Sequence, residues 1–199
     1  MLSKAEYKAL HPAMVERMVQ LGRGLTPEQW TTDSLCRGWR VCDVFGHMTY
    51  GGSIPLRTVV PSLLLRYRGN VTKGSAVESR RYADAHPQQE LMAQFERSHA
   101  HPVGIAKLIR PNELFIDHVI HELDIRRPLG LPGAFSDVEL RAALDGAVRL
   151  RNPMFKPAKA AADRRLEATD LDWTHGETGQ PLTRDTAENL LLDLAGRQP

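Results

Sequence analysis

One eleven-residue segment, FIDHVIHELDI at residues 115–125, combines two histidines and three acidic residues with apolar residues. Asp117 and His121 are four positions apart, which places them on one face of a helix. Such a pair can direct a carboxylate oxygen and an imidazole nitrogen at one divalent cation, each about 2 Å from it. The segment therefore predicts part of a metal site, and a further ligand must come from another helix.

The best candidate for that ligand is His47, in the segment VCDVFGHMTYGG. His47 shares a predicted helix face with Val44, Tyr50 and Ile54, so its side chain is expected to point where core residues point. Taken alone, a half-buried histidine is more often an ordinary core residue. The presence of Asp117 and His121 on a second, nearly all-apolar helix favours the ligand interpretation.

The other histidines are weaker candidates. His118 is an alternative to Asp117 because it lies three residues from His121, although it points about 100° away from Asp117 around the helix axis. The remaining histidines have no buried carboxylate partner at helical spacing and are not predicted to bind metal; they are His11, His86, His99, His101 and His175.

Composition excludes several classes of protein. The formal net charge of +2 over 199 residues, with scattered arginine pairs, does not predict a nucleic-acid partner. The N-terminus lacks a long apolar core, and no segment is apolar for long enough to span a bilayer, so a cytoplasmic protein is expected. Cys36 and Cys42 are six residues apart, which is neither a thiol-redox nor a zinc-knuckle spacing. We expect them to be small apolar groups in a reducing compartment.

The elements that must position these residues are mostly helices. Capping boxes start at Ser3, Thr26 and Ser136, each followed three residues later by Glu or Gln. We predict one helix after Ser3 that Pro12 kinks or restarts. Further predicted helices run from about Arg40 to Tyr50, from Pro87 to Ser98, from Glu113 to Arg127, and onward from Ser136. The intervening residues 68–75 are predicted to be a loop.

The character of the sequence changes after Arg151. Strand-like segments around a glycine-rich turn are followed by a last helix, predicted to be capped by Thr183 and ended by Gly196. The chain is therefore predicted to be mainly α: a four-helix bundle with an extra helix and a small C-terminal α+β tail. The predicted domains are 1–152 for the bundle and 153–199 for the connector and tail.

Four segments resemble, in order over nearly the whole chain, the mycothiol-dependent maleylpyruvate isomerase-like branch of the DinB superfamily. The first segment is the first helix, with which the bundle begins. The other three are LTPEQWTTDSLCRGWRVCDVFGHM, DHVIHELDIRRPLGLP and RLEATDLDWTHGETGQPLTRDTAENLLLDLAGR. Residues 55–110 match only loosely. The resemblance implies a DinB-like bundle that holds a divalent metal, usually zinc, between its helices.

The ligands that the resemblance implies are a histidine from the second helix and a carboxylate-x-x-x-histidine pair from the fourth. They correspond to His47, Asp117 and His121. The family usually has glutamate at the position of Asp117. It usually has serine or threonine at the position of Arg40, and the arginine removes the helix cap that such a residue would supply. Histidine and carboxylate ligands also admit nickel, iron or manganese.

Three protein ligands with one open position suit catalysis. The resemblance implies that mycothiol, a low-molecular-weight thiol, occupies that position and attacks a small electrophile, giving thiol transfer or cis–trans isomerisation. The alternatives are a metal-dependent hydrolase without a thiol cofactor and a non-catalytic bundle. The substrate is not identified, and a monomer or a homodimer is expected.

Supporting roles follow from this hypothesis. Asp124 is expected to orient a ligand through a hydrogen bond. Asp43 and Tyr50 flank His47 and are candidates to orient it or to contact a substrate. Arg126 and Arg127 are candidates to bind an anionic substrate or the thiol cofactor, although both also suit a helix C-terminus as cations.

Overall fold

The computed structural model describes residues 2–152 and 155–197. The chain is mainly helical, and it forms two compact units. The middle unit is His11–Ile109, and the terminal unit combines Met1–Leu10 with Arg110–Pro199. The predicted division into 1–152 and 153–199 stays a prediction.

The helices and strands follow one another in this order: α1 (Lys4–Gly24), α2 (Pro27–Thr31), α3 (Val41–Ser53), α4 (Leu56–Tyr67), α5 (Val71–Ala85), α6 (Gln88–Ala100), a 3-10 helix (Ile105–Leu108), α7 (Pro111–Arg126), α8 (Asp137–Ala147), α9 (Pro157–Ala160), β1 (Arg165–Ala168), β2 (Thr174–His175), β3 (Leu182–Asp185) and α10 (Ala187–Leu194). The predicted mainly helical class with a small α+β tail is confirmed. None of the described helices is long and apolar enough to cross a membrane.

The three predicted capping boxes are present. The Ser3 amide donates to Glu6 Oε2 at 2.7 Å, and the Glu6 amide donates to Ser3 Oγ at 3.3 Å. The same reciprocal pair of bonds starts α2 at Thr26 and α8 at Ser136. Each box satisfies amides that have no partner inside the helix, which is why these helix starts could be predicted. Helix α1 is continuous through Pro12.

In the middle unit, α3 packs against α5 and α6. The approach to α5 is close at Gly46, where an added Cβ would lie 2.5 Å from the carbonyl oxygen of Ser79. Aromatic rings fill the space on the other side, with Phe45 5.2 Å from Trp30 and 6.1 Å from Phe95 between ring centroids. A glycine on one helix face therefore lets α5 lie directly against the helix that carries His47.

The predicted loop at residues 68–75 is wrong, because α5 already begins at Val71. The Asn70 side chain accepts a hydrogen bond from the Lys73 amide at 2.9 Å and caps the helix. The connection from α4 is confined to three residues, and Arg68 and Gly69 both adopt positive φ angles there. Helix α4 was also not predicted, since Pro55 and Pro61 indicate an irregular segment; Pro55 is in fact its N-cap residue.

In the terminal unit, α7 is buried over almost its whole length, as predicted, and it packs against α8 and α10. The three strands form a sheet in the order β2-β1-β3, with β1 antiparallel to β2 and parallel to β3. The predicted cap at Thr183 is wrong, because Thr183 lies within β3. Thr186 caps α10 instead and accepts from the Asn189 amide at 3.3 Å.

Cys42 lies in the first turn of α3 and is buried. Burial, followed by the charge of Asp43, raises the pKa of the thiol to about 11. The Cys42 sulfur is 3.8 Å from Asp43 Oδ1. The thiol is therefore protonated at neutral pH, which agrees with the prediction that it is a packed apolar group.

Candidate metal centre

Helix α7 places Asp117 and His121 on one face. Oδ1 of Asp117 lies 3.6 Å from Nε2 of His121, and the Asp117 side chain is 42% exposed against 8% for His121. Two ligands that are each about 2.0–2.1 Å from a tetrahedral ion lie roughly 3.4 Å apart. The two donor atoms are thus at the spacing that a shared metal ion requires.

A buried network holds the other side of the His121 ring. Nδ1 of His121 is 2.9 Å from Oδ2 of Asp124, and Asp124 is fully buried. Arg197 donates to both oxygens of Asp124, from Nε and from its terminal nitrogen, at 2.9 Å each. A histidine whose Nδ1 donates to a carboxylate presents Nε2 to a metal, so this network orients the nitrogen that faces Asp117.

The charges of this network affect both titratable groups. Burial by itself would raise the pKa of Asp124, but the hydrogen bonds from His121 and Arg197 hold it below its usual value. Burial would lower the pKa of His121, but the charge of Asp117 and the bond to Asp124 outweigh it and raise that pKa. A proton and a metal ion cannot occupy Nε2 together, so metal binding competes with protonation of His121.

His118 points away from this pair. Its Nδ1 donates to the carbonyl oxygen of Leu114 at 2.6 Å, and it is 3.9 Å from Oδ2 of Asp117. Asp117 is the residue that faces Nε2 of His121. Its choice over His118 as ligand stays a prediction, supported by this geometry.

His47 lies in the middle unit, on α3, and is half-buried. Its Nδ1 is 3.2 Å from the Ser75 hydroxyl and 3.4 Å from the Ser79 hydroxyl, both on α5. The ring of Trp39 lies 5.1 Å from the His47 ring between centroids. The serine contacts fix the ring with Nδ1 toward α5, which makes Nε2 the nitrogen suited to coordination.

Asp43 is buried at the start of α3. Its carboxylate accepts from the Arg40 amide at 2.9 Å and from the Arg40 side chain at 3.1 and 2.7 Å. The same guanidinium donates to Asp84 on α5 at 2.7 Å. The Arg40 side chain accepts no capping hydrogen bond, whereas Asp43 satisfies the Arg40 amide. Through its bond to Asp84, Arg40 also joins the start of α3 to α5. A catalytic role for Asp43 stays a prediction.

Replacing Asp43 with asparagine is expected to lower the free energy of unfolding by roughly 1–2 kcal/mol at pH 7. Burial would raise the pKa of Asp43, but the hydrogen bonds from Arg40 outweigh it and the pKa is lowered. The stabilisation is therefore present above the unfolded pKa, near 3.9, and is lost as the pH falls through the lower folded value. Urea unfolding between pH 3 and pH 7 measures this.

The matched control is Asp84→Asn, which removes an exposed partner of the same guanidinium and should cost less than about 0.5 kcal/mol. A difference between wild type and Asp43→Asn that stays constant down to pH 3 would contradict the ion-pair explanation.

Tyr50 lies one turn after His47 on α3. Its ring makes an edge contact with Tyr82 on α5, with 5.9 Å between centroids. It also lines a cavity of the middle unit. Tyr50 is thus placed to contact a ligand beside His47, and its role in a reaction stays a prediction.

Arg126 and Arg127 end α7 and both form ion pairs inside the terminal unit. Arg126 Nε donates to Glu122 at 2.7 Å. A terminal nitrogen of Arg127 donates to Glu188 at 2.9 Å and to Asn189 at 2.8 Å. These contacts account structurally for both cations, and their binding of substrate or thiol stays a prediction.

Three residues around the ligands were not predicted from the sequence. Arg197 is 73 residues from Asp124, and Ser75 and Ser79 are about 30 residues from His47. The serines fell in or beside the segment that was predicted as a loop. No local spacing in the sequence marks any of these contacts.

Residues 11–103 match the family model described as the mycothiol maleylpyruvate isomerase N-terminal domain. The matched segment lies inside the middle unit and contains His47, whereas Asp117 and His121 follow it. Over this segment the chain is similar to that domain, and the match supports the resemblance seen in the sequence. Comparisons with curated proteins and with solved structures found no match.

Proposed function

We propose that this chain is a divalent-metal-dependent enzyme that uses mycothiol to transfer a thiol to a small electrophile or to isomerise it. The observation that carries the proposal is the pair of donor atoms on α7. Nε2 of His121 lies 3.6 Å from Asp117 Oδ1 while Asp124 holds Nδ1. The match of residues 11–103 to a mycothiol-related domain supports a thiol as the second reactant.

His47 is proposed as the third ligand, with zinc as the metal. Support comes from its spacing on α3, from the position that the family resemblance assigns to it, and from its side-chain contacts. In both histidines Nδ1 is engaged by an oxygen of the same unit, Ser75 for His47 and Asp124 for His121. Each therefore has the orientation of a ligand that coordinates through Nε2.

A divalent ion at such a site favours the ionised, nucleophilic form of a thiol near neutral pH. Attack by the thiolate electron pair on one carbon of a C=C bond conjugated to a carbonyl group forms a carbon–sulfur bond, while the π electrons shift to the carbonyl oxygen as an enolate. If the enolate then takes up a proton on carbon and the sulfur is retained, the outcome is thiol transfer. If the sulfur leaves with its electron pair after rotation about the intervening bond, the outcome is cis–trans isomerisation.

The remaining residues support this chemistry by positioning. Asp124 and Arg197 fix the His121 ring, and Asp43 fixes the start of the helix that carries His47. Arg126 and Arg127 already neutralise Glu122 and Glu188. To bind an anionic cofactor, they would have to exchange these partners for it.

The test compares conversion of a small electrophile in four conditions: zinc-loaded or chelator-treated protein, each with mycothiol or in thiol-free buffer. Conversion is expected only where zinc and mycothiol are both present. Equal conversion by zinc-loaded protein without thiol would favour a metal-dependent hydrolase. Protein that binds no metal and converts nothing would support a non-catalytic bundle.

A further inference from the structure

The middle unit contains a cavity of about 590 Å³ between α3, α4 and α5. Small-molecule sites commonly have volumes of about 300–1,000 Å³ and combine apolar walls with a few convergent polar groups. This cavity has both components. We propose that it binds a small organic monoanion with an apolar body, and, resting on the function proposed above, that this anion is the electrophilic substrate.

The charge of the cavity comes from three side chains. Arg66 and Arg81 both approach one oxygen of Glu78, at 3.2 and 3.6 Å. Two guanidinium groups thus share a single carboxylate, which leaves one positive charge in excess. The arginine side chains are more than half exposed, whereas Glu78 is 18% exposed. Both guanidinium groups are therefore already in contact with water, and they can turn toward a carboxylate ligand without leaving a buried position.

The apolar component lies on the neighbouring walls. Ile54, Pro61 and Leu65 line the cavity, and Leu65 is among the most exposed large apolar residues of the described chain, at 85%. The rings of Tyr50 and Tyr82 add an aromatic wall. A ligand with an apolar body would cover surface that is otherwise in contact with water.

The cavity lies on the face of α3 that also carries His47. On α3, Tyr50 and Ile54 follow His47 by three and seven residues, so the three share one face. On α5, Glu78 and Tyr82 follow Ser75 by the same intervals, and the Ser75 hydroxyl is 3.2 Å from His47 Nδ1. The distance along α3 from His47 to Ile54 is about 10 Å. A ligand held by the arginines can thus extend its reactive end toward His47.

The probe for this proposal is hexanoate, compared with its neutral isostere hexanamide and with hexylammonium. The full chain is titrated with each by calorimetry and by ¹H–¹⁵N chemical-shift mapping, with and without zinc. Hexanoate is expected to bind and to perturb amides of α3 and α5. Hexanamide should bind roughly 10-fold or more weakly, as expected for the loss of a charge-assisted contact. Hexylammonium should not bind.

Substitutions inside and outside the cavity test whether hexanoate binds there rather than elsewhere on the surface. Arg66→Gln and Arg81→Gln should each weaken hexanoate binding roughly 10-fold and leave hexanamide unchanged. Glu78→Gln should strengthen hexanoate binding because it releases both cations. The matched control is Lys73→Gln, an exposed positive charge on α5 outside the cavity, which should change nothing.

Equal affinity for hexanoate and hexanamide, or loss of hexanoate binding in Lys73→Gln to the same extent as in Arg66→Gln, would overturn the proposal. So would shift changes confined to residues away from α3 and α5. The His47→Ala variant distinguishes the cavity proposal from the metal-centre proposal, because the cavity of this variant should still bind hexanoate. Hexanoate binding by wild-type protein that takes up no zinc when zinc is supplied would support the cavity and contradict the metal centre.

Discussion

Replacing His121 with alanine should weaken zinc binding by more than about 100-fold, beyond the 10–100-fold loss typical of removing a residue that only orients a ligand. The variant loses the nitrogen that faces Asp117 at 3.6 Å and leaves the buried carboxylate of Asp124 bonded only to Arg197. Asp117→Ala and His47→Ala should show losses of the same order, since each is proposed to contribute one donor atom. Elemental analysis of the purified chains and competition with a zinc chelator measure the effect.

Further variants test whether the loss of zinc binding is specific to the proposed ligands. Asp124→Asn should weaken zinc binding by only about 10–100-fold, because Asp124 orients His121 without touching the metal. His101→Ala, at an exposed histidine after α6, is the matched control and should keep full metal. Wild-type metal content in His47→Ala, Asp117→Ala and His121→Ala would rule out this set of ligands. Metal loss in His118→Ala instead of Asp117→Ala would identify His118 as the ligand.

Gly46→Ala should lower the free energy of unfolding by about 3 kcal/mol, at the upper end of the usual cost of overpacking. The new Cβ would lie 2.5 Å from the Ser79 carbonyl oxygen and 3.0 Å from the Ala83 Cβ. A backbone oxygen in a helix cannot rotate away, so α5 must move from α3. This cost should exceed the gain of about 1 kcal/mol that alanine brings as a better helix former.

Urea unfolding of the variant measures the change. Gly24→Ala is the matched control, because its added Cβ meets no atom within 4 Å at the end of α1. That control should have an unchanged or slightly higher free energy of unfolding. If both glycine variants were equally stable, the close approach of α3 and α5 would not exist in solution. The same displacement should also move Ser79 from His47, so metal affinity is worth measuring in parallel.

Much of the helical layout could be predicted because its signals are local. The capping boxes at Ser3, Thr26 and Ser136 depend on residues three positions apart, and all three are present. The burial of α7 followed from apolar residues on nearly every face. In these cases the sequence pattern and the tertiary environment favour the same structure.

The errors occurred where residues that usually break helices serve as their boundaries. Pro55 starts α4 as its N-cap residue, and Asn70 caps α5 with its side chain. Proline lacks the donor that a helix interior needs, but the first turn does not use that donor. The last helix was misplaced by three residues for a related reason: both Thr183 and Thr186 suit a cap, and pairing with β1 assigns Thr183 to a strand.

For the candidate site, the spacing within α7 predicted the Asp117–His121 contact and the orienting bond from Asp124. Arg197 could not be predicted, because its bond to Asp124 joins residues 73 positions apart. The serines beside His47 depend on the packing of α3 against α5, which no local pattern specifies. Contacts within one helix were thus accessible from sequence, whereas contacts between elements required the fold.

The position of Cys42 has a consequence for a chain proposed to handle a small thiol. Exchange with disulfide forms of that thiol requires an accessible thiolate. Cys42 is buried at 4% exposure, and its pKa of about 11 leaves it protonated. The helix that carries His47 is therefore protected from forming a mixed disulfide at this position, and oxidative stress that depletes the reduced cosubstrate should leave Cys42 unmodified.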